Sequence, residues 1–243
     1  MKIAVIGVSN SGKTTVFNAL TGLNIETTTY PTISGEPNIG VVKVPDPEID
    51  LLSEIYRPKK TTYAAIEYID YIGLTKGDVK QNRKVFDLIK DVDAIVHVVR
   101  AFYDESVIHP MASINPVRDI ETVELELVFG DLELIEKRLE RMEEGKKRGK
   151  RPDETEKKLL LKCRDFLMKE TALRNVEFTK EEMKAMRQLQ FLSNIPKVIV
   201  LNTGERDDDS DYAKTLESSL LNRYPSANVL TLCGKIEMEI SQL

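Results

Sequence analysis

Tryptophan is absent from this sequence, and histidine and cysteine each occur only twice in 243 residues. Cys163 and Cys233 stand far apart and outside any paired metal-ligand spacing. That excludes a disulfide scaffold and a structural zinc site, and it leads to the expectation of a reducing, cytoplasmic setting. Long apolar runs are missing as well: nothing approaches the roughly 18 residues of a membrane span, and the opening Met-Lys-Ile-Ala-Val-Ile-Gly is too short a run for a signal peptide. A soluble protein with no membrane partner is expected. An excess of positive charge is also lacking. Lys and Arg number 35 against 40 Asp and Glu, a net charge of −5, the wrong sign for a chain that coats nucleic acid over its whole surface. Any RNA contact must therefore be local. Hydrophobic residues make up 41% and charged residues 31%, which argues against global disorder. The length suits one enlarged domain or one domain carrying an insertion.

What is present is a series of short Val/Ile-rich runs at 3–6, 64–69, 94–99, 198–201 and 229–232. Unalternated runs of this kind suit strands covered on both faces, so the pattern predicts a doubly wound α/β domain with a mostly parallel sheet. A further strand is predicted over 38–44, and the Pro45-Asp46-Pro47 stop leads into a short helix over 49–56. The middle of the chain differs. Val128, Leu132, Ile135, Leu139 and Met142 recur in alternate steps of four and three, a heptad stripe on one face of a long helix. It stops near Gly145, where the basic turn 146–151 (Lys146-Lys147-Arg148-Gly149-Lys150-Arg151) runs into Pro152. A second pattern through Leu160, Cys163, Phe166 and Leu167 predicts an antiparallel, coiled-coil-like helical hairpin. Thr179 with Glu182 fits a capping box, predicting a third helix that turns Met183, Met186 and Leu189 toward the core. The organisation expected is a nucleotide-binding domain, 1–128 and 196–243, interrupted by a helical insertion, 129–195.

The most specific motif is Gly7-Val8-Ser9-Asn10-Ser11-Gly12-Lys13-Thr14, which fits G-x-x-x-x-G-K-[ST] between an apolar strand and a helical segment. Glycines let backbone N–H groups turn inward around phosphates, and the following helix adds its positive N-terminal end. A chance match in a chain of this length is on the order of one per cent. Asn10, Ser11, Gly12, Lys13, Thr14 and Thr15 are the candidate phosphate ligands. Lys13 neutralises the β- and γ-phosphates and Thr14 offers its hydroxyl to Mg²⁺. A dinucleotide-binding reading fails for want of G-x-G-x-x-G.

P-loops serve kinases, ATPases and GTPases, so later elements must decide. Asp70-Tyr71-Ile72-Gly73 reads as D-x-x-G at a strand end, a switch II candidate in which Asp70 reaches Mg²⁺ and the Gly73 N–H senses the γ-phosphate. The segment 25–35, rich in Thr, Ser and Pro, is the candidate switch I. Asn202-Thr203-Gly204-Glu205 stands where guanine-specific proteins carry N-K-x-D; Thr203 and the longer Glu205 weaken guanine selection. Cys233 and Gly234, after the last strand, complete the candidate base site with Asn202 and Glu205. A small-molecule kinase is disfavoured by D-x-x-G and N-x-x-E at their strand ends.

In this order the residues resemble the Obg-like ATPase, or YchF, branch of the translation-factor-related P-loop GTPases. The resemblance covers nearly the whole chain. It rests on the P-loop, on the runs 36–42 and 44–47, on Asp93-Ala94-Ile95-Val96-His97-Val98-Val99-Arg100, on the segment 115–122, and on Asn202 with Glu205. It implies an α-helical hairpin inserted in a G domain, a preference for ATP over GTP, and association with the ribosome in translation or stress response. It also implies Mg²⁺ held by Thr14, Asp70 and a switch I hydroxyl. Ser34 matches the position for that hydroxyl, with Thr32 as its neighbour and alternative. Where other GTPases place a water-orienting glutamine after D-x-x-G, this chain has Leu74. In relatives a histidine after the fourth strand is proposed for that role, and His109 falls there; the alternative is a histidine that packs a loop. His97, inside a strand, reads as a core residue. Asn10 takes the place that potassium-activated relatives use for K⁺. The segment 74–82 is shorter and less Gly-rich than the family's switch II, and the family's C-terminal TGS domain does not follow Leu243, as expected of a shortened protein or a fragment.

Two functional classes follow: a slow Mg²⁺-dependent NTPase acting on ATP or GTP, or a nucleotide-dependent binding module with negligible hydrolysis. The basic turn 146–151 is either an RNA or ribosome contact or a solvated loop.

Overall fold

The computed structural model describes residues 1–26, 36–71, 73–149, 151, 153–205, 207–224 and 227–243. Ser34 and Thr32, the switch I candidates, lie outside the described residues, as do Ile72, Lys150 and Pro152. Six strands form one sheet in the order β2-β3-β1-β4-β5-β6. They are β1 (Lys2–Ile6), β2 (Asn38–Lys43), β3 (Ala65–Asp70), β4 (Ala94–Ala101), β5 (Lys197–Thr203) and β6 (Asn228–Leu232). Every pairing is parallel except β2 with β3. The doubly wound expectation is met, with an antiparallel edge strand added. Buried Ala4, Ile6, Ile69 and Ile95 pack on one face and Val5, Val16, Phe17 and Val98 on the other. Burial on both faces is why the strand sequences do not alternate.

Helices α1 (Lys13–Thr21), α2 (Pro47–Tyr56) and α3 (Val79–Ile89) precede the long α4 (Pro116–Lys147). After it come α5 (Glu154–Leu167), α6 (Lys180–Leu189), α7 (Asp207–Arg223) and α8 (Gly234–Ser241). Helix α4 begins twelve residues before the stripe at Val128 and runs unbroken through position 128. Asn115 caps it by accepting the Arg118 N–H at 3.1 Å, with Pro116 in its first turn. Its first half is buried against the sheet by Ile120, Val123 and Leu127.

Beyond the sheet, α4 and α5 form the expected antiparallel hairpin around Val128, Ile135, Leu160, Cys163 and Leu167. Arg138 binds Glu156 across it at 2.7 Å. The capping box at Thr179 forms, Thr179 Oγ1 accepting from Glu182 N at 3.2 Å. One expectation is corrected: Met183 is exposed, and only Met186 and Leu189 reach the cluster. The first turn of α6 lies at the rim, where Lys162 takes Glu182 at 2.9 Å.

Buried Asp131 fastens the hairpin to the returning chain, its oxygens accepting from Leu192 N at 2.7 Å and Ser193 N at 2.8 Å. A second tie joins Arg174, Glu124 and Lys197. Burial works against the Glu124 charge, but Lys197 and Arg174 more than offset it and hold the carboxyl at about 2. Among the described residues no helix is long and apolar enough to cross a membrane. Replacing Asp131 with Ala strands two buried N–H groups, so the variant is expected to lose about 2–4 kcal/mol, read as a lower urea midpoint at unchanged slope.

Candidate nucleotide site

The loop between β1 and α1 takes its shape from contacts that only glycine allows. A Cβ on Gly7 would stand 2.3 Å from the Val98 carbonyl oxygen. Gly12 sits at φ +87°, and a Cβ there would fall 2.1 Å from Asn202 Nδ2. Gly12 caps α1 without a side-chain bond, and the first turn holds no acidic residue. The helix therefore presents open N–H groups and its positive end to the loop.

Lys13 and Thr14 open α1, and Asp70, at the end of β3, is bound by Thr14 and lies within electrostatic reach of Lys13. The Lys13 ammonium is buried and donates to Val8 O at 3.0 Å. Burial drives its pKa down to about 8, against the pull of Asp70. Thr14 Oγ1 donates to Asp70 Oδ2 at 2.7 Å, and Asn38 Nδ2 approaches the same oxygen at 3.3 Å. Burial raises the Asp70 pKa, against Thr14, Lys13 and Asn38. Asp70 Oδ1 and Ser11 Oγ are buried with no hydrogen-bond partner among the described residues. A buried ammonium and an unbonded hydroxyl by the start of α1, with an unbonded carboxylate oxygen at the end of β3, are groups that a metal–phosphate pair would satisfy. Among the described residues no group of three or more His, Cys, Asp or Glu forms a metal cage; Mg²⁺ commonly binds through one or two protein groups plus phosphates.

Gly73 lies against the loop so closely that a Cβ would stand 2.6 Å from Ser9 Oγ and 2.7 Å from Ser9 N. The next residue, Leu74, donates its N–H to Gly7 O at 2.9 Å and buries its side chain with Val8, Tyr71 and Val85. It belongs to the core and has no water-handling role.

At the end of β5, Asn202 Nδ2 donates to Ser11 O at 3.1 Å while Oδ1 accepts from Gly234 N at 2.9 Å. One buried amide thus joins β5, the phosphate loop and the start of α8. Cys233 caps α8 beside it. Glu205 is exposed and pairs with Lys235 at 2.6 Å.

The loop after β4 touches the phosphate loop, Asn10 Nδ2 donating to Ile108 O at 2.9 Å. His109 itself is buried. Its Nδ1 accepts from Met111 N at 3.1 Å, so a neutral ring donates from Nε2 to Asp119 Oδ2 at 2.8 Å. The structure therefore brings the His109 loop to the site with both ring nitrogens engaged elsewhere. His97 is buried in the sheet, its pKa held well below the ordinary range by burial and by Lys197.

Two residues of the site were missed in the sequence. Asn38 is the polar residue at the start of β2. Arg100, the charge that ends an apolar strand, is buried and donates to the carbonyls of Phe102, Val107 and Asp104 at 3.2, 3.0 and 3.1 Å. It shapes the loop that carries His109.

Residues 2–129 match the family model described as a 50S ribosome-binding GTPase. The ribosome-binding ATPase YchF of Bacillus subtilis (strain 168) is 37% identical over 98% of this chain and 67% of its own length. That of Escherichia coli O157:H7 is 34% identical over 100% of this chain and 67% of its own. The chain belongs to the YchF family. It thus spans about two thirds of these YchF relatives. A YchF GTPase of Schizosaccharomyces pombe has the same fold at a TM-score of 0.75 and 23% identity, covering 100% of this chain and 68% of that one.

The depressed Lys13 pKa has a sign that can be tested. Near pH 8 the free protein is partly deprotonated at Lys13, and a bound phosphate restores the charge. Nucleotide binding is therefore expected to take up protons at pH 8, seen by calorimetry in buffers of different ionisation enthalpy, and affinity should fall as pH rises further. Lys13→Ala should abolish the uptake.

Proposed function

We propose that this chain is a slow, Mg²⁺-dependent P-loop NTPase that uses ATP, or GTP, as a conformational switch on the ribosome. The observation that carries the reading is the buried Lys13 ammonium beside the Thr14–Asp70 hydrogen bond, at a helix N-terminus that a glycine caps without a side-chain bond. Asn10, Ser11, Gly12, Lys13, Thr14 and Thr15 bind the phosphates, and Gly73 sits where its N–H can sense the terminal one. Thr14, Asp70 and Ser34 are the proposed Mg²⁺ ligands; when bound, the ion neutralises phosphate charge. Asn202, Glu205, Cys233 and Gly234 frame the base. K⁺ at Asn10 is a second proposed ion. The ribosome enters because the curated YchF relatives are named ribosome-binding ATPases, and the basic turn 146–151 at the hairpin tip is the proposed contact.

Lys13 stabilises developing phosphate charge, and His109 is the proposed group that orients the attacking water. To act, His109 must leave Met111 and Asp119. That requirement favours a second reading, a nucleotide-dependent binding module with negligible turnover. Replacing His109 with Ala separates the two: a loss of about 10²-fold in kcat at little changed affinity supports the ring as catalyst, and an unchanged rate supports the module.

Titrating nucleotide-free protein with Mg·ATP and Mg·GTP by calorimetry tests the switch reading, with Lys13→Ala as control. Tighter ATP binding is expected; tighter GTP binding would make Glu205 a functional guanine selector, and binding of neither would sink the reading. Charge reversal at Lys147, Arg148 and Lys150 is expected to weaken ribosome co-sedimentation, and unchanged binding would remove the turn from the interface.

A further inference from the structure

Glu126 stands on α4, outside the nucleotide site, and spends both carboxylate oxygens on the segment that carries Gly73. Oε1 accepts the Gly77 N–H at 3.0 Å and Oε2 accepts from Asn82 Nδ2 at 2.8 Å. Asn82 is fully buried and also holds both backbone groups of Thr75: its Oδ1 accepts from Thr75 N at 3.1 Å, and its Nδ2 donates to Thr75 O at 2.8 Å. Gln81 Nε2 donates to Gly73 O at 2.9 Å, and Leu74 N is bound to Gly7 O. Gly73, Leu74, Thr75 and Gly77 are thus each tied down by a backbone hydrogen bond. A shift of Gly73 has little slack to disappear into, and it is passed to the start of α3.

Helix α3 in turn leans on α4 at a few points. Arg83 pairs with Glu133, two turns beyond Glu126, and Phe86 lies against Gly130, where a Cβ would come within 3.2 Å of the ring. Beside these contacts lies a groove of about 540 Å³, lined by Arg83 and Lys90 of α3, Leu134 and Lys137 of α4, Glu156 of α5 and Gln188 of α6. The two helices are therefore joined from Glu126 to Glu133, with the groove beside the far end of that joint. A carboxylate suits this joint because it accepts from two donors at once. A glutamine would accept from one donor and turn an N–H toward the other.

We propose that Glu126 is a positioning residue that couples the nucleotide state sensed at Gly73 to the tilt of α4, and so to the place of the hairpin tip. The proposal rests on the nucleotide-switch reading above. Lys147 lies 21 residues beyond Glu126 on the same helix, about 31 Å at 1.5 Å per residue, so a tilt of about 5° moves the tip by about 3 Å. A packed joint with two arrangements amplifies a small movement at the phosphate into one that a large partner can read.

The test is the distance between spin labels at Lys147 and at exposed Lys214 on α7, with ADP and with a non-hydrolysable ATP analogue, or with the guanine pair if that binds tighter. In the wild type the distance is expected to differ by about 3 Å between states. Glu126→Gln is expected to keep nucleotide affinity and lose that difference. Gln81→Met, which frees Gly73 from α3 without touching α4, is expected to shrink it independently. A role in stability alone would lower the melting temperature and leave the state dependence intact in the folded protein. A wild type that binds nucleotide without a distance change, or a Glu126→Gln protein that keeps the change, overturns the coupling while sparing the switch reading. A wild type that binds no nucleotide overturns both.

Discussion

The Asn202 side chain fills the space that the missing Cβ of Gly12 leaves, and the candidate site depends on that fit. Its amide reaches the Ser11 carbonyl on one side and the Gly234 N–H on the other. The phosphate loop, the end of β5 and the start of α8 therefore share one buried group. Any side chain at position 12 would collide with it. Because a buried amide left half-bonded is costly, the three segments are held in one relation, and the proposed base and phosphate ends of the site form a single unit.

Around this unit the molecule keeps several charges out of water. Lys13 loses basicity through burial and Asp70 loses acidity for the same reason. In the proposed reading these two groups face the ligand, and their shifts fit charges that nucleotide and metal would bring. Glu124, by contrast, is so well paired with Lys197 and Arg174 that its carboxyl stays ionised to about pH 2. It serves as a structural joint where the return from the hairpin meets β5. Glu124 is only half-buried where Lys13 and Asp70 are buried, and the protein itself supplies its counter-charge.

Much of the fold was legible because its signals are local. The strand runs, the glycines and lysine of the phosphate loop, the capping box at Thr179 and the hairpin stripe each depend on residues close in sequence, and each was found near its predicted place. The start of α4 was not read, since a helix half buried in the sheet domain shows no single apolar stripe until it leaves that domain. Met183 was assigned to the core from spacing, but the rim of a cluster cannot be told from its centre by period alone. Leu74 was seen as a missing glutamine; only packing against Val8 and Tyr71 made it a core residue.

By itself the sequence determined that this is a phosphate-binding α/β protein with a helical hairpin, because backbone conformation and apolar period are written residue by residue. Tertiary structure decided what the isolated polar residues do. Arg100 became the staple of the His109 loop, His109 became tied to Asp119, and Glu126 became bonded to Gly77 and Asn82 after the D-x-x-G segment. The partners stand two to seven residues away for Arg100, ten for His109 and 44 to 49 for Glu126, and no periodic spacing encodes which of the many exposed-looking polar side chains will be folded against one another.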